Sequence, residues 1–282
     1  MFKQKFAYAI WPWGLNTKEQ MIQALKDIKE VGFTKFESVR NAIDVFKNNA
    51  HEFKAITDEY GVYPVSFYFH QTGDEKTDVE EVKSKIEFLK INNVHRMSIQ
   101  APRNSGKPAT QEELARILKT IEEISHIAKE YDVIPCIHPH AGTMIMYENE
   151  IDFIMQNSDP KYVSFGPDTA HLVLGKCDPV EIFKRYVDRI KFMHLKDIMK
   201  NTETKVIGGE NKGFDVYSSF LELGNGNVDF KSIFKLLKEN KYDSYLTVEL
   251  DSSRYTNRES AFINMRYLKE NSLNKSPTEI RV

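Results

Sequence analysis

The chain of 282 residues carries 39 Lys and Arg against 41 Asp and Glu, a formal net charge of −2, with 41 % hydrophobic and 28 % charged residues. This balance excludes a disordered polymer and leaves no overall basic field to gather nucleic-acid phosphates, while the length allows one large domain with a sizeable core. Two cysteines, Cys136 in an apolar run and Cys177 in a Gly-Lys-Cys-Asp-Pro loop, give no disulfide framework and suit a reducing compartment.

From the N-terminus, a strand is predicted over Phe6 to Ile10. The apolar stretch before Trp11-Pro12 is too short for a signal sequence or a membrane span, so a cytoplasmic protein is expected. A helix follows, opened by the capping box Thr17-x-x-Gln20, carrying Met21, Leu25 and Ile28 at helical spacing and stopped at Gly32, where a left-handed C-cap is wanted. A strand over Lys35 to Val39, a helix ending at Gly61, and strands over Tyr63 to Phe69 and Arg96 to Gln100 continue the alternation. The capping box Thr110-x-x-Glu113 opens a helix whose Leu114, Ile117, Leu118, Ile121 and Ile124 form a stripe of the kind that packs on a sheet. Strands are then predicted over Val133 to His138, Tyr162 to Phe165, Arg189 to His194 and Tyr245 to Glu249. Helices start at Asp178-Pro179, Asp229 and Thr256-x-x-Glu259.

Eight such repeats close a parallel sheet into a (β/α)8 TIM barrel. No linker rich in Pro, Gly or Ser divides residues 1–282, so a single α/β domain is expected. The irregular stretch 198–227 contains Gly208, Gly209, Gly213, Gly224 and Gly226 and is long enough to serve as a lid over the face where the strands end.

Four predicted strands deliver a metal-ligating side chain at or just beyond their carboxyl ends: His138, Asp168, His194 and Glu249. Two imidazoles and two carboxylates form a nitrogen and oxygen set for one divalent ion, Mn, Co, Zn, Fe or Mg, with imidazole pulling the preference toward transition metals. Such an ion polarises a carbonyl and stabilises the enolate left when a proton is taken from the adjacent carbon.

The chain resembles the xylose-isomerase-like barrel superfamily of sugar isomerases and epimerases, and within it looks most like the inosose dehydratase branch. The resemblance spans nearly the whole sequence and rests on Ile137-His-Pro-His-Ala-Gly-Thr143, Pro167-Asp-Thr-Ala-His171, Arg189-Ile-Lys-Phe-Met-His-Leu-Lys-Asp197, Leu223-Gly-Asn-Gly-Asn-Val-Asp229 and Val248-Glu-Leu-Asp251. It implies a single metal at the carboxyl-end face, with Asp168, His194 and Glu249 matching three usual ligands. The fourth departs from the epimerase pattern: His138-Pro139 stands where those enzymes commonly have Glu. Two-base epimerisation wants a carboxylate on each side of the reacting carbon, whereas a dehydratase needs one base and one acid and accommodates unlike groups.

The activity this implies is a metal-dependent sugar isomerase or epimerase abstracting a proton α to a carbonyl, with an inosose-dehydratase-type hydro-lyase as the alternative. A remote third is an apurinic-site endonuclease-like phosphodiesterase, which shares the barrel but needs more ligands and a basic surface. The expected partner is a small sugar or cyclitol, with no nucleic acid and no membrane, and a homo-oligomer is allowed. Catalytic candidates are Glu249, Lys196, His171, which matches a substrate-contacting histidine of the family, and Glu148, where some members carry a glutamate. Trp11 and Trp13 are candidates for an apolar wall against a sugar ring, and Glu37, His70, Gln100, His140 and Arg254 for contacts to substrate hydroxyls or charge. Gly224-Asn-Gly226 resembles the glycine-rich turn before the last barrel helix and has the composition of a phosphate cradle. No dinucleotide or P-loop signature lies where a strand meets a helix.

Overall fold

The computed structural model describes residues 5–200, 219–252 and 254–271. Strands β1 (Lys5–Ala9), β2 (Lys35–Val39), β3 (Tyr63–His70), β4 (Arg96–Gln100), β5 (Ile134–His138), β6 (Ser164–Phe165), β7 (His194–Leu195) and β10 (Tyr245–Val248) form one sheet in the order β6-β5-β4-β3-β2-β1-β10-β7. Every pair in it is parallel. The two edges meet through the parallel bridges Phe165–Ile190 and Asp168–His194. There the Lys191 and His194 amides donate to the Phe165 and Pro167 carbonyls at 3.1 and 2.9 Å, curling the sheet into the (β/α)8 barrel. Outside it, β8 (Asp197–Ile198) and β9 (Phe220–Leu221) pair antiparallel.

The helices start and stop where the local chemistry directs. Thr17 and Thr110 cap α1 (Lys18–Val31) and α5 (Gln111–Glu130) through complete capping boxes, and Gly32 (φ 109°) ends α1 in the left-handed region. Between them lie α2 (Asn41–Val45), α3 (Ala50–Tyr60) and α4 (Glu75–Ile91). The second half carries α6 (Glu148–Asn157), α7 (Thr169–Leu174), α8 (Pro179–Tyr186), α9 (Phe230–Glu239) and α10 (Asn257–Asn271). Between β2, β3 and their helices, Phe53 meets Phe46, Phe67 and Phe88 at ring distances of 5.2, 5.9 and 5.0 Å. The floor of the barrel is the small apolar cluster Ala7, Val65, Cys136 and Phe192. Among the described residues no helix is long and apolar enough to cross a membrane.

The strands predicted from Tyr162 and Arg189 are much shorter than expected: β6 begins only at Ser164. Where a strand was expected from Arg189, residues Val187–Arg189 form a 3-10 turn and the β7 ladder begins only at His194. The Arg189 guanidinium donates to Met155 O, Ser158 Oγ and Val163 O at 2.8 to 2.9 Å. It thereby holds the turn against the segment before β6 and takes the place of ladder hydrogen bonds. In the stretch 198–227, residues 201–218, which include Gly208, Gly209 and Gly213, lie outside the described residues.

Candidate active site

His138, Asp168, His194 and Glu249 converge at the carboxyl-end mouth of the barrel, all buried, each with a ligand atom within 4.8 Å of the others. His194 Nδ1 stands 3.0 Å from His138 Nδ1 and 3.2 Å from Glu249 Oε2. Atoms that share one ion at about 2.1 Å stand about 3.0–3.4 Å apart as neighbours, so the spacing fits a common cation. Asp168 Oδ2 and Glu249 Oε2 are buried with no hydrogen-bond partner among the described residues, although buried carboxylate oxygens are ordinarily satisfied.

The topology explains the convergence. Asp168 caps α7, its Oδ1 accepting from the His171 amide at 2.7 Å, which leaves Oδ2 facing the barrel axis. Thr169 Oγ1 donates to Lys196 O at 2.6 Å and accepts from Lys196 N at 2.9 Å, fixing the chain after β7 so that His194 and Lys196, two apart, face the same side.

Lys196 is fully buried. Its ammonium donates to Glu249 Oε1 and, at 2.7 Å, to Asp251 Oδ2. It also stands 3.2 Å from His171 Nε2 and 4.4 Å from the centre of the Phe220 ring. Burial alone would lower its pKa, but Asp251, Glu249 and Asp168 outweigh it and hold the ammonium charged. Burial pushes Glu249 up to about 8 and raises Asp168, against the pull of Lys196 and His194. Burial also opposes protonation of His194, yet Glu37 and Glu249 raise it to about 9. Burial keeps His138 and His171 neutral and takes His140 down to about 3. Among the described residues the four carboxyl groups of Glu37, Asp168, Glu249 and Asp251 share two cationic partners, Lys196 and His194, and a divalent ion would favour the ionised forms that burial disfavours at Asp168 and Glu249. The donor set and the buried carboxyl oxygens fit such an ion.

The family described as xylose isomerase-like TIM barrel matches residues 25–271. The chain belongs to that family. Among curated proteins it is 33 % identical over 178 residues to an inosose dehydratase of Clostridium tetani, a match covering 61 % of this chain and 59 % of that protein. An inosose dehydratase of Geobacillus kaustophilus is 27 % identical over 258 residues, covering 84 % and 82 % of the two chains. The chain therefore spans less than two thirds of the first relative and most of the second. Among solved structures, a D-allulose 3-epimerase from Methylomonas sp. shares the fold with a TM-score of 0.76 at 14 % identity, covering 96 % and 98 % of the chains.

Around the cluster of this xylose isomerase-like barrel, the other candidates divide. His171 and His140 are brought in, their rings 3.7 Å apart, with His171 Nδ1 accepting from the Ala141 amide at 3.3 Å. Trp11 is half-buried, its ring 6.1 Å from His194 and 5.7 Å from Tyr68, forming a wall. Gln100 accepts from the Tyr68 hydroxyl at 2.7 Å, and His70 lies exposed beside the same tyrosine. Glu37 is buried behind His194 rather than at the mouth.

Three are not brought together with these. Trp13 turns toward α1, its indole donating to Asp27 at 2.8 Å and its ring meeting Tyr8. Glu148 is exposed and paired with Arg185 at 2.7 Å, and Arg254 is exposed. The glycine turn also departs from the phosphate-cradle expectation. The amides of Gly224 and Gly226 donate to Asp197 Oδ2 at 2.9 and 2.8 Å, so a carboxylate of the chain already fills that cradle. A Cβ at Gly226 would lie 2.3 Å from Asp197 Oδ1, which explains the glycine.

Sequence reasoning missed Tyr68, Asp251, Phe220 and the serines Ser66 and Ser98. A signal existed for several: Ser66, Tyr68 and His70 on β3, and Ser98 and Gln100 on β4, recur at the period of two that marks one face of a strand. Polar residues at that period inside a barrel mark the lumen.

Proposed function

We propose that the chain is a metal-dependent enzyme that takes a proton from the carbon beside the carbonyl of a keto-sugar or cyclitol and, with loss of the neighbouring hydroxyl, dehydrates it. A divalent ion held by His138, Asp168, His194 and Glu249 would supply Lewis-acid polarisation of the substrate carbonyl. Glu249 Oε1, beside Lys196, receives the proton. The C–H electron pair becomes the new C=C bond as the C–O bond breaks, and the Lys196 ammonium gives its proton to the departing hydroxyl, which leaves as water. His171 and Asp251 flank Lys196 on its other sides and orient it. Trp11 and Tyr68 present aromatic faces suited to the C–H surface of a ring.

The observation that carries the choice of dehydration over epimerisation is the asymmetry of the cluster. A carboxylate and an ammonium stand together at the ends of β10 and β7, while β5 contributes the neutral imidazole of His138. The names of the curated relatives support the same reading. A free rather than phosphorylated substrate accords with the filled glycine turn.

The test is to incubate metal-loaded protein with inososes and ketoses in deuterium oxide, following ultraviolet absorbance and mass. Loss of water from an inosose with a growing enone absorbance is expected. Deuterium uptake by a ketose without loss of water would move the assignment to an isomerase or epimerase, and no reaction on the panel would defeat both.

A further inference from the structure

Glu37 is a carboxylate with no solvent exposure, set in β2 against the His194 ring. The β2–β3 register shifts between Phe36 and Glu37, and such irregularities re-aim side chains. Phe36 pairs with Pro64 and Glu37 with Ser66, so the extra residue, Val65, lies on β3 and the irregularity brings Ser66 level with Glu37, which faces it while Phe36 packs in the apolar core. Its Oε1 accepts from Ser66 Oγ at 2.8 Å and from Ser98 Oγ at 2.7 Å, while its Oε2 meets His194 Nε2. Three strands thus fix one carboxylate against an imidazole that comes from the far side of the sheet closure.

A buried ion pair is weak ground for stability, since a well-packed apolar pair of the same volume does as well or better. The arrangement makes sense as orientation. We propose that Glu37 is a positioning residue for the metal centre: by accepting the Nε2 proton of His194 it leaves the Nδ1 lone pair aimed at the point shared by His138, Asp168 and Glu249. Ser66 and Ser98 lock the carboxylate so that it cannot swing toward the cation itself. Carboxylate partners of this sort fix the tautomer and raise the basicity of a ligating histidine. This inference rests on the metal-site reading proposed above.

The experiment is a titration of the full chain with Co2+ in competition with a chromophoric chelator, with the visible spectrum of the bound cobalt recorded. Glu37→Gln, checked for folding by far-ultraviolet circular dichroism, should bind Co2+ about 10–100-fold more weakly and shift the cobalt spectrum. Wild-type affinity together with a wild-type spectrum would overturn the role, because a purely packing function moves neither. Should Glu37→Gln not fold, the double variant Ser66→Ala and Ser98→Ala keeps the carboxylate but loosens it. A loss of about fivefold is then expected, and unchanged affinity would overturn the proposal. Failure of the wild-type chain to bind Co2+ overturns the metal reading along with this one, whereas normal wild-type binding with an unaffected Glu37→Gln overturns this one alone.

Discussion

Strands β2 to β5 run five to eight residues each and β2 and β3 are backed by interlocking phenylalanines, whereas β6 and β7, with Asp168 just beyond one and His194 in the other, are two residues long. The long side is held by backbone ladders and apolar packing. On the short side, side chains take over. Thr169 clasps Lys196, Arg189 reaches three acceptors, and Arg96 and Ser244 both donate to Lys191 O at 2.8 and 2.6 Å. Leaving the ladder early lets the chain turn at Asp168 into α7 and aim His194 and Lys196 inward. Ladder and apolar packing are thus concentrated on one side, whereas Asp168, His194 and Lys196 stand on the other with only His138 of the cluster at the end of a long strand, and substitutions should separate the two.

The largest effect is expected from Asp168→Ala, which removes one of the four proposed metal ligands and uncovers no apolar surface. Activity should fall by about 10^4-fold, equivalent to the several kcal/mol a metal supplies, and metal measured by equilibrium dialysis should drop with it. Lys196→Met should lower kcat by about 10²–10⁴-fold with KM little changed, the scale of one general acid, as steady-state kinetics on the responding substrate would show. On the opposite side, Phe53→Ala should cost about 3–5 kcal/mol in urea unfolding while the metal stoichiometry of the folded fraction stays at the wild-type value. Loss of metal from the folded fraction of Phe53→Ala would contradict the separation.

Thr169→Val sits at the seam and should show both behaviours in smaller measure. It strands the backbone amide and carbonyl of Lys196, costing about 1–3 kcal/mol in urea unfolding with a modest fall in kcat.

The smallest effect is the pH dependence of stability in metal-free protein. His194, raised to about 9 from an ordinary 6.5, stabilises the fold fully below 6.5 and loses that contribution as pH rises through 9. Glu249, raised to about 8 from 4.5, adds a growing penalty over 4.5 to 8 in the same direction. His138, His140 and His171 are held neutral, so stability also falls as pH drops below 6.5. Melting temperature should therefore peak near pH 6.5 and decline by pH 9. Metal should offset the alkaline decline, so that the rise in melting temperature on adding metal grows with pH.

The same division governs what could be read from the sequence. Strands β2 and β4 were legible to the residue because each intersperses apolar side chains with polar ones between turn-forming residues, Gly32 before β2 and Asn92-Asn93 and Pro102 around β4, so local chemistry decides their ends. The β7 segment was not, because a guanidinium bonding across some thirty residues replaces its ladder. At the site, types and strand-end positions sufficed to pick out the four residues that converge. Directions did not follow. Trp11 and Trp13 are two apart, yet a 3-10 turn at Trp11–Trp13 sends one to the site and the other to Asp27. Glu148 and Glu150 differ likewise. Glu150 is buried and accepts from the Ala109, Met146 and Tyr147 amides at 2.7 to 2.8 Å, while Glu148 pairs with Arg185 on the outside.

On the proposed reading, one divalent ion is seated among four side chains drawn from four strand ends. Crystals grown with Mn2+ and measured for anomalous scattering test it most directly. A single strong peak about 2.0–2.3 Å from His138, Asp168, His194 and Glu249 is predicted. No peak there, or ions bound only at other carboxylates, would contradict it.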